Sequence, residues 1–414
     1  MNKPLREDYN ATRPLIMHID LNSCFATVEQ QSRPRLRGRP VAVVNRRTEH
    51  TAIVTASYEA KAAGIKVGMR VKEAKILCPD LIALESDPAK YRFVYHKLLA
   101  IMKRYSAHVR MKSIDEGVLD FAQTTADIHG RDLRDIGMEM KRNLINEIGI
   151  AMRCNVGVGT NRFLAKTAAS LHKPDGLDVI TAENLRDTLA TLKLTDLTGI
   201  AHRNEHRLNS VGIYTPLEFL DAPANVLKEI VFKSVVGEWW HQRLRGYEVD
   251  DVDYDLKSCG RQYVLEERNM PLHIIMKRLH HLCESVGGKL RSQGKVARGI
   301  FVYAKTDDRK YWHSRRTASM PFFSNGAIYA QASMLFSGAP SGLREIGISC
   351  YELSDDLGDQ LTLFGDELAR EQQITDTIDE INKRFGDRTI HAADTLGTGT
   401  FVKQKIPFGS TRYL

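Results

Sequence analysis

The stretch "HVRMKSIDEGVLDFA" (residues 108–122) sets Asp115 beside Glu116 between two runs of strand-forming residues. Neighbouring side chains of a regular strand leave opposite faces. Two adjacent acids therefore meet at one point only where the backbone bends, and Gly117 directly after them permits such a bend. Carboxylates brought together repel unless a cation lies between them. A third acid, Asp20, closes the apolar run "LIMHID" (15–20), after which the chain turns into a helical pattern. Three carboxylates at strand ends suit Mg2+, which takes oxygen ligands and usually shares them with substrate phosphates. Two such ions clamp the attacking and leaving oxygens of an in-line phosphoryl transfer. Taken alone, Asp20 reads as an ordinary surface acid near a strand end, and "SIDEG" alone fits that reading as well as it fits a metal site.

A second cluster is "GVGTNRFLAKTA" (157–168), followed by "SLHKPDG" (170–176). Gly157 and Gly159 allow a tight strand-to-helix turn, and Thr160 or Asn161 can cap the helix. Lys166 then projects from its early turns, where a triphosphate would be in reach. A dinucleotide fingerprint is not met, because the third glycine is missing.

The elements that carry these residues follow from periodicity. Residues 15–20, 40–44, 51–57, 81–85 and 153–159 read as strands. Residues 58–63, 71–77, 89–106 and 131–148 read as helices, giving an α/β sheet domain. From about residue 175 the pattern is helical with Gly-marked turns. From 257 to 350 it changes again, with strands at 297–308 and 310–323 and helices at 272–290 and 325–336. The last stretch, 354–414, is polar around one apolar cluster, "QLTLF" (360–364).

The whole chain has 414 residues, 43% of them hydrophobic, a net charge of +8 and a pI near 9.0. That length implies several domains, and the mild basic excess suits a polyanion partner. Six scattered cysteines form no CxxC pair, which argues against zinc or a disulfide framework and for thiols in a reducing cytoplasm. No run is apolar enough to span a membrane, and the N-terminus lacks the core of a signal peptide.

In this order and spacing the motifs resemble the Y-family DNA polymerases, the DinB/UmuC-like translesion enzymes. "HIDLNSCFATVEQ" (18–30) is similar to the first catalytic motif and "TASYEAKAAGIKVGM" (55–69) to the fingers motif. "SIDEGVLD" (113–120) is similar to the second catalytic motif, "GVGTNRFLAKTAASLHKPDG" (157–176) to the closing palm segment, and "SCGRQYVLEE" (258–267) to the start of the little finger. The resemblance runs from about residue 15 to 364. It implies an α+β multidomain right hand: a ferredoxin-like palm (1–25 and 80–175), small fingers (26–79), a helix-hairpin-helix thumb (176–250), an α/β little finger (257–353), and a tail (354–414).

The same resemblance assigns roles. Asp20, Asp115 and Glu116 match the metal ligands, with the carbonyl of Leu21 as a further one, for two Mg2+ ions. Phe25 matches the steric gate beneath the sugar; without the resemblance it reads as a core aromatic. Thr55, Tyr58 and Lys166 match positions on the triphosphate. Two departures stand out. Lys61 occupies a position usually held by arginine, which loses the planar fork. Ala201, in "LTGIAHRNEHRLNSVGI" (197–213), stands where the family usually has the glycine of a hairpin turn. The small residues of "SCFA" and "GIKVGMR" fit a roomy active site tolerant of damaged templates.

In the little finger, Arg298, Lys305, Arg309, Lys310, Arg315 and Arg316 interleave with aromatic residues, and about half are expected on one DNA-tracking face. Gln360, Leu361, Leu363 and Phe364 resemble a bacterial sliding-clamp-binding peptide. Ile374, Ile378, Ile381 and Phe385 share one helical face, able to bind a partner or to pack on the body. "INKRFGDRTIHAA" and "STRYL" resemble UmuC-like tails more than DinB-like ones, which would add an accessory mutagenesis subunit and a recombinase filament as partners. The implied function is error-prone lesion bypass in an SOS-type response, on primer-template DNA and dNTP, in the cytoplasm and away from membranes. Alternatives are a non-catalytic DNA- and clamp-binding scaffold, which should have lost the three acids, and a cyclase-like enzyme, which leaves thumb, little finger and clamp peptide unexplained.

Overall fold

A computed structural model describes residues 9–125, 128, 130–252, 255–267, 269–355 and 365–402, and the chain divides into two compact units near residue 252. The first is built on strand β1 (Ile16–Leu21) and helix α1 (Cys24–Ser32). It continues through β2 (Val41–Val44), β3 (Ile53–Ala56), α2 (Tyr58–Ala62), α3 (Val71–Leu77), β4 (Ile82–Glu85) and α4 (Pro88–Met102). Then come β5 (His108–Met111), β6 (Glu116–Asp120), α5 (Leu133–Glu147), β7 (Cys154–Gly159), α6 (Arg162–Leu171) and β8 (Leu177–Val179).

Five of these strands form one sheet in the order β5-β6-β1-β7-β8. β1 is antiparallel to both β6 and β7. The sequence β1-α4-β5-β6-α5-β7 on that order is a ferredoxin-like fold, with β8 added parallel to β7. Alternation sorts β1 into two faces. Met17, Ile19 and Leu21 enter the main core with Tyr91, Leu98, Ile101, Ile136, Met140 and Leu144. His18 and Asp20 point to the other face, beneath α6, where Ile16, Val118 and Ala165 form a small apolar cluster.

Between β1 and α4 the chain inserts a second sheet, β3-β2-β4, with its own core of Ala42, Val44, Ile53, Ala56, Ala60, Val71 and Ala74. β4 is parallel to β2 and so belongs to this insertion. The expected fingers boundary at 79 falls one strand short, because "LIALE" carries no mark of which sheet it joins. In the same way β8 joins the five-stranded sheet, although its residues fall in the expected thumb range.

Four helices follow: α7 (Leu185–Ala190), α8 (His202–Asn209), α9 (Pro216–Asp221) and α10 (Val236–Leu244). They enclose a core of Leu208, Phe219, Leu227 and Trp240, into which Phe163 of α6 also packs. Ala201 is the residue before α8, at φ −102° and ψ 176°. That is extended backbone, so the turn needs no glycine there. The positive φ values of this hairpin fall on Gly199 and Gly212.

The second unit holds β9 (Ser258–Val264), α11 (Leu272–Arg291), β10 (Val296–Thr306), β11 (Tyr311–Phe322), α12 (Asn325–Phe336), β12 (Leu343–Ser354) and α13 (Gly365–Phe385). Its antiparallel sheet has the order β11-β10-β12-β9. On β10, Ile300, Val302 and Ala304 are buried, and Phe301, Tyr303 and Lys305 alternate with them toward the open face. Arg315 lies opposite Phe301 in register. Of the six basic residues, Lys305 and Arg315 thus share a face with Tyr303, Tyr311 and His313. Lys305 is paired with Glu345, and Arg316 reaches Met334 of α12 instead.

The described part of the tail is no separate appendage. Arg291 holds Asp379 with two bonds of 2.7 and 2.8 Å, His281 meets Thr398 at 2.7 Å, and buried Glu284 takes Arg388 and the amide of Ala392. Polar anchors make the contact: Thr375 is buried, whereas Ile374 and Phe385 of the apolar stripe stay exposed. Gln360, Leu361, Leu363 and Phe364 lie outside the described residues. All six cysteines are buried free thiols. Among the described residues no helix is long and apolar enough to cross a membrane.

Candidate active site

The acid pair is brought together by a turn, and the bend does not come from Gly117. Gly117 lies inside β6 with no positive φ, and a Cβ there would come within 2.7 Å of Met102 Cε and Met111 Sδ. Its missing side chain makes room for the core. The turn is closed by Ser113, whose hydroxyl accepts from the amides of Asp115 (3.3 Å) and Glu116 (3.2 Å) and donates to Asp115 Oδ1 (2.5 Å). The amides of Lys112 and Ser113 both donate to the Glu116 carbonyl. The Asp115 carbonyl in turn accepts from the amide of Leu21 at 2.8 Å, which ties the turn to the end of β1. Asp20 and Glu116 are directly opposite each other across β1 and β6. They share the face under α6, and Asp115 stands just outside the strand.

Crowding shows in the electrostatics. Burial raises the Asp115 carboxyl, Ser113 opposes this, and the carboxylates of Asp20 and Glu116 push it further up. Burial would raise Glu116 too, but His18 and Lys166 outweigh it and hold the group at about 2. Lys166 Nζ donates to both Glu116 oxygens, at 3.0 and 2.7 Å. Lys173 Nζ donates to Asp20 Oδ2 at 2.5 Å. Among the described residues no three His, Cys, Asp or Glu side chains are set to hold a metal ion. The two ammonium groups stand where cations would be drawn. The donors themselves are hard oxygens, the set that Mg2+ requires.

α6 delivers Lys166, and the glycines before it act differently from the expected turn. Gly157 and Gly159 lie within β7, and neither has a positive φ. A Cβ on Gly157 would lie 2.1 Å from both the Ala165 carbonyl oxygen and the Ala169 amide nitrogen. One on Gly159 would lie 2.7 Å from the Ala165 nitrogen. The missing side chains let the helix backbone rest directly on the strand. Asn161 caps the helix through the Leu164 amide (2.7 Å), while its amide group holds the carbonyls of Arg243 and Tyr247.

Lys173 is placed by a buried polar tie: Asn22 donates to Asn155 (2.8 Å), Asn155 to the His172 carbonyl (3.0 Å), and the Asp175 amide to Asn22 (2.8 Å). Sequence reasoning passed over Lys173, Ser113, His18 and this asparagine pair. "SLHKPDG" held the lysine, but the partner that gives it meaning, Asp20, is 153 positions away.

The remaining candidates surround the acids. Tyr58 opens α2; burial and the Asp20 carboxylate raise its hydroxyl. Lys61 Nζ donates to Ser23 (2.7 Å) and lies 4.6 Å above the Tyr58 ring; burial and the neighbouring Lys173 lower it. Thr55 sits on β3 opposite Val43. Phe25 is 4% exposed and stacks on Tyr91 at 4.2 Å and 7°.

The site is thus an antiparallel ferredoxin-like sheet with acids at the ends of two adjacent strands, β1 and β6, and lysines reaching over them. Residues 19–170 match the impB/mucB/samB family and residues 257–363 its C-terminal domain. DNA polymerase IV of Moorella thermoacetica is 35% identical over 398 residues, covering 94% of this chain and 97% of that protein. DNA polymerase IV of Pelotomaculum thermopropionicum is 32% identical with the same coverage, and DNA polymerase IV 1 of Bacillus subtilis 28% over 92% of this chain and 93% of its own. A Y-family DNA polymerase chimera of Dbh and Dpo4 shares the fold with a TM-score of 0.71, at 23% identity over 83% of this chain and 100% of its own. The insertion ternary complex of Dbh DNA polymerase has a TM-score of 0.57, with 24% identity over 81% of this chain and 98% of its own. The chain belongs to the impB/mucB/samB family, and with it to the Y-family DNA polymerases, on the DinB-like side. The UmuC-like lean read from the tail is not carried by these relatives.

Proposed function

We propose that this chain extends a primer by template-directed nucleotidyl transfer during lesion bypass, with Asp20, Asp115, Glu116 and the Leu21 carbonyl holding two Mg2+ ions. The primer 3′-hydroxyl attacks the α-phosphate of a dNTP and pyrophosphate leaves. The bound ions would supply charge neutralisation at the attacking and leaving oxygens. The observation that carries the reading is the register of Asp20 against Glu116, with Asp115 pinned beside them. Lys166 and Lys173 are free to exchange a carboxylate for a phosphate oxygen, because each pair is partly exposed. Tyr58, Thr55 and Lys61 form the opposite wall for the triphosphate. Phe25 lies under the sugar position, stiffened by Tyr91.

Around this centre the proposed partners are primer-template DNA and dNTP, with a sliding clamp engaged through Gln360, Leu361, Leu363 and Phe364. An accessory mutagenesis subunit and a recombinase filament are further candidates for the tail. The scaffold alternative predicts lost acids, and all three are present. Asp115→Ala or Glu116→Ala should abolish nucleotide addition in a gel extension assay and leave primer-template affinity nearly unchanged, since that affinity comes from basic residues elsewhere. Robust extension by either variant would reject the assignment.

A further inference from the structure

We propose that His18 is a positioning residue for Glu116, the rigid partner that keeps this carboxylate aimed at the cation site when Lys166 lets go. The inference rests on the reading of Glu116 as a metal ligand. His18 is 1% exposed and lies on β1 two residues before Asp20, so both side chains leave the same face of the strand. Its Nε2 is 3.3 Å from Glu116 Oε2, without the alignment of a hydrogen bond, and among the described residues its Nδ1 finds no hydrogen-bond partner. A buried ring with one nitrogen unpaired and the other only poorly aligned on its carboxylate is costly. An apolar residue would fill the site at less expense if packing were the only demand. The cross-strand neighbours of His18 are Val118 and Gly157, neither of which offers it a polar side chain.

Glu116 thus has two unlike partners. Lys166 is 31% exposed, on a flexible stem, and can follow a phosphate. His18 is fixed by strand and helix and cannot leave. While Lys166 holds both carboxylate oxygens, Oε2 is drawn off line from His18. Once Lys166 departs, a small rotation of the carboxylate brings Oε2 into line with Nε2. Glu116 then keeps one fixed anchor and frees its other oxygen. Groups behind a metal ligand typically change metal affinity by about 10–100-fold when removed.

The test uses the full chain with a dideoxy-terminated primer-template and dNTP, so that no turnover occurs, and reads Mn2+ binding from the loss of the free-ion EPR signal. His18→Phe and His18→Leu should weaken Mn2+ binding about tenfold, with an unchanged or higher melting temperature and unchanged DNA affinity. His18→Gln, which restores a donor at the Nε2 position, should stay near wild type. Steady-state extension should show the same order in the Mg2+ concentration for half-maximal rate. Wild-type Mn2+ binding in the apolar variants overturns the proposal, as does a loss that merely tracks a lower melting temperature. Failure of both apolar variants to fold, with the glutamine variant folded, makes His18 structural and overturns it as well. Glu116→Gln is the control: full Mn2+ binding and extension there would reject the ligand reading itself and this proposal with it. A dead Glu116→Gln beside normal His18 variants would reject only the proposal.

Discussion

Replacing Gly157 by alanine adds one methyl group at the point where α6 touches β7. Alanine can adopt the local backbone, because φ is not positive there. The effect is therefore one of contact alone. The new Cβ would lie 2.1 Å from the Ala165 oxygen and the Ala169 nitrogen, where real contacts seldom fall below 3.0 Å. Both are backbone atoms, so no side chain can turn away. The helix has to withdraw by roughly 1 Å, and overpacking of this kind costs about 1–3 kcal/mol. At about 2–4 °C per kcal/mol for a unit of this size, the transition of the first unit should fall by roughly 2–12 °C. Lys166 rides on the same helix, so its distance to Glu116 changes too, and a shift of about 1 Å can cost on the order of 100-fold in rate. Gly288→Ala is the control: it lies in α11 with nothing within 4 Å, and alanine gains up to about 1 kcal/mol of helix propensity there. The assays are thermal melting and single-nucleotide extension. A Gly157→Ala variant that melts and extends like wild type would refute the close-packing account and return the glycine to a simple turn.

Three further outcomes are expected. Phe25→Ala should lose about 3–5 kcal/mol from the stacked core and, assayed below its melting point, add ribonucleotides far more readily; a folded variant with unchanged sugar selectivity would leave Phe25 a core residue only. Leu363→Ala combined with Phe364→Ala should keep the intrinsic extension rate and lose stimulation by a sliding clamp, at about 2 kcal/mol for each hot-spot side chain, or more than about 100-fold in affinity; intact stimulation would remove the peptide as the tether. In the second unit, burial first and the nearby Arg388 next lower His281 to about 3. The unfolded chain takes up this proton below about 6.5 and the folded chain does not, so His281 costs stability as pH falls from there toward 3. A His281→Gln variant should lose less stability than wild type between pH 6.5 and 4 in denaturant titrations, and parallel curves would contradict the burial argument.

Local chemistry was legible in the sequence wherever it is local in the chain. Asp20, Asp115 and Glu116 stand at strand ends as their contexts imply, and the turn that joins two of them spans only residues 112–116. The glycines misled because a missing Cβ looks the same in sequence whether it permits a turn or a close approach. Gly117 and Gly157 are both of the second kind, and only the element packed above each one reveals it. Ala201 is the reverse case: it stands where the glycine of a hairpin turn was expected, although the backbone there is extended. Lys173 and the Asn22–Asn155 tie were hidden for a different reason. Their partners lie more than 130 positions away, and no periodicity reports a contact of that range. The tail misled through composition, since its polar anchors look like solvated surface until Asp379, Thr398 and Arg388 meet their partners on α11.

The choice of cation separates what is held from what must exchange. Arg104 grips Glu147 with two bonds, and so do Arg186 with Asp221, Arg243 with Asp250 and Arg291 with Asp379. Each of these forks joins distinct segments of the fold, where a planar, two-pronged pair fixes orientation as well as distance. On Glu116 and Asp20 the partners that must exchange are lysines. An ammonium is a point charge on a flexible stem, and Lys166 and Lys173 are 31% and 34% exposed. A flexible ammonium with that much access to water is exchanged more readily than a planar fork locked between two segments. A guanidinium fork on Glu116 or Asp20 would resist replacement by any incoming cation and would occupy both oxygens in a fixed plane. Lysine neutralises the crowded carboxylates while the site is unloaded, then gives them up at small cost and keeps its charge for a phosphate. The rigid demands of the site fall instead on the strand register, the Ser113 turn and the bare backbone of Gly157, none of which has to move for that exchange.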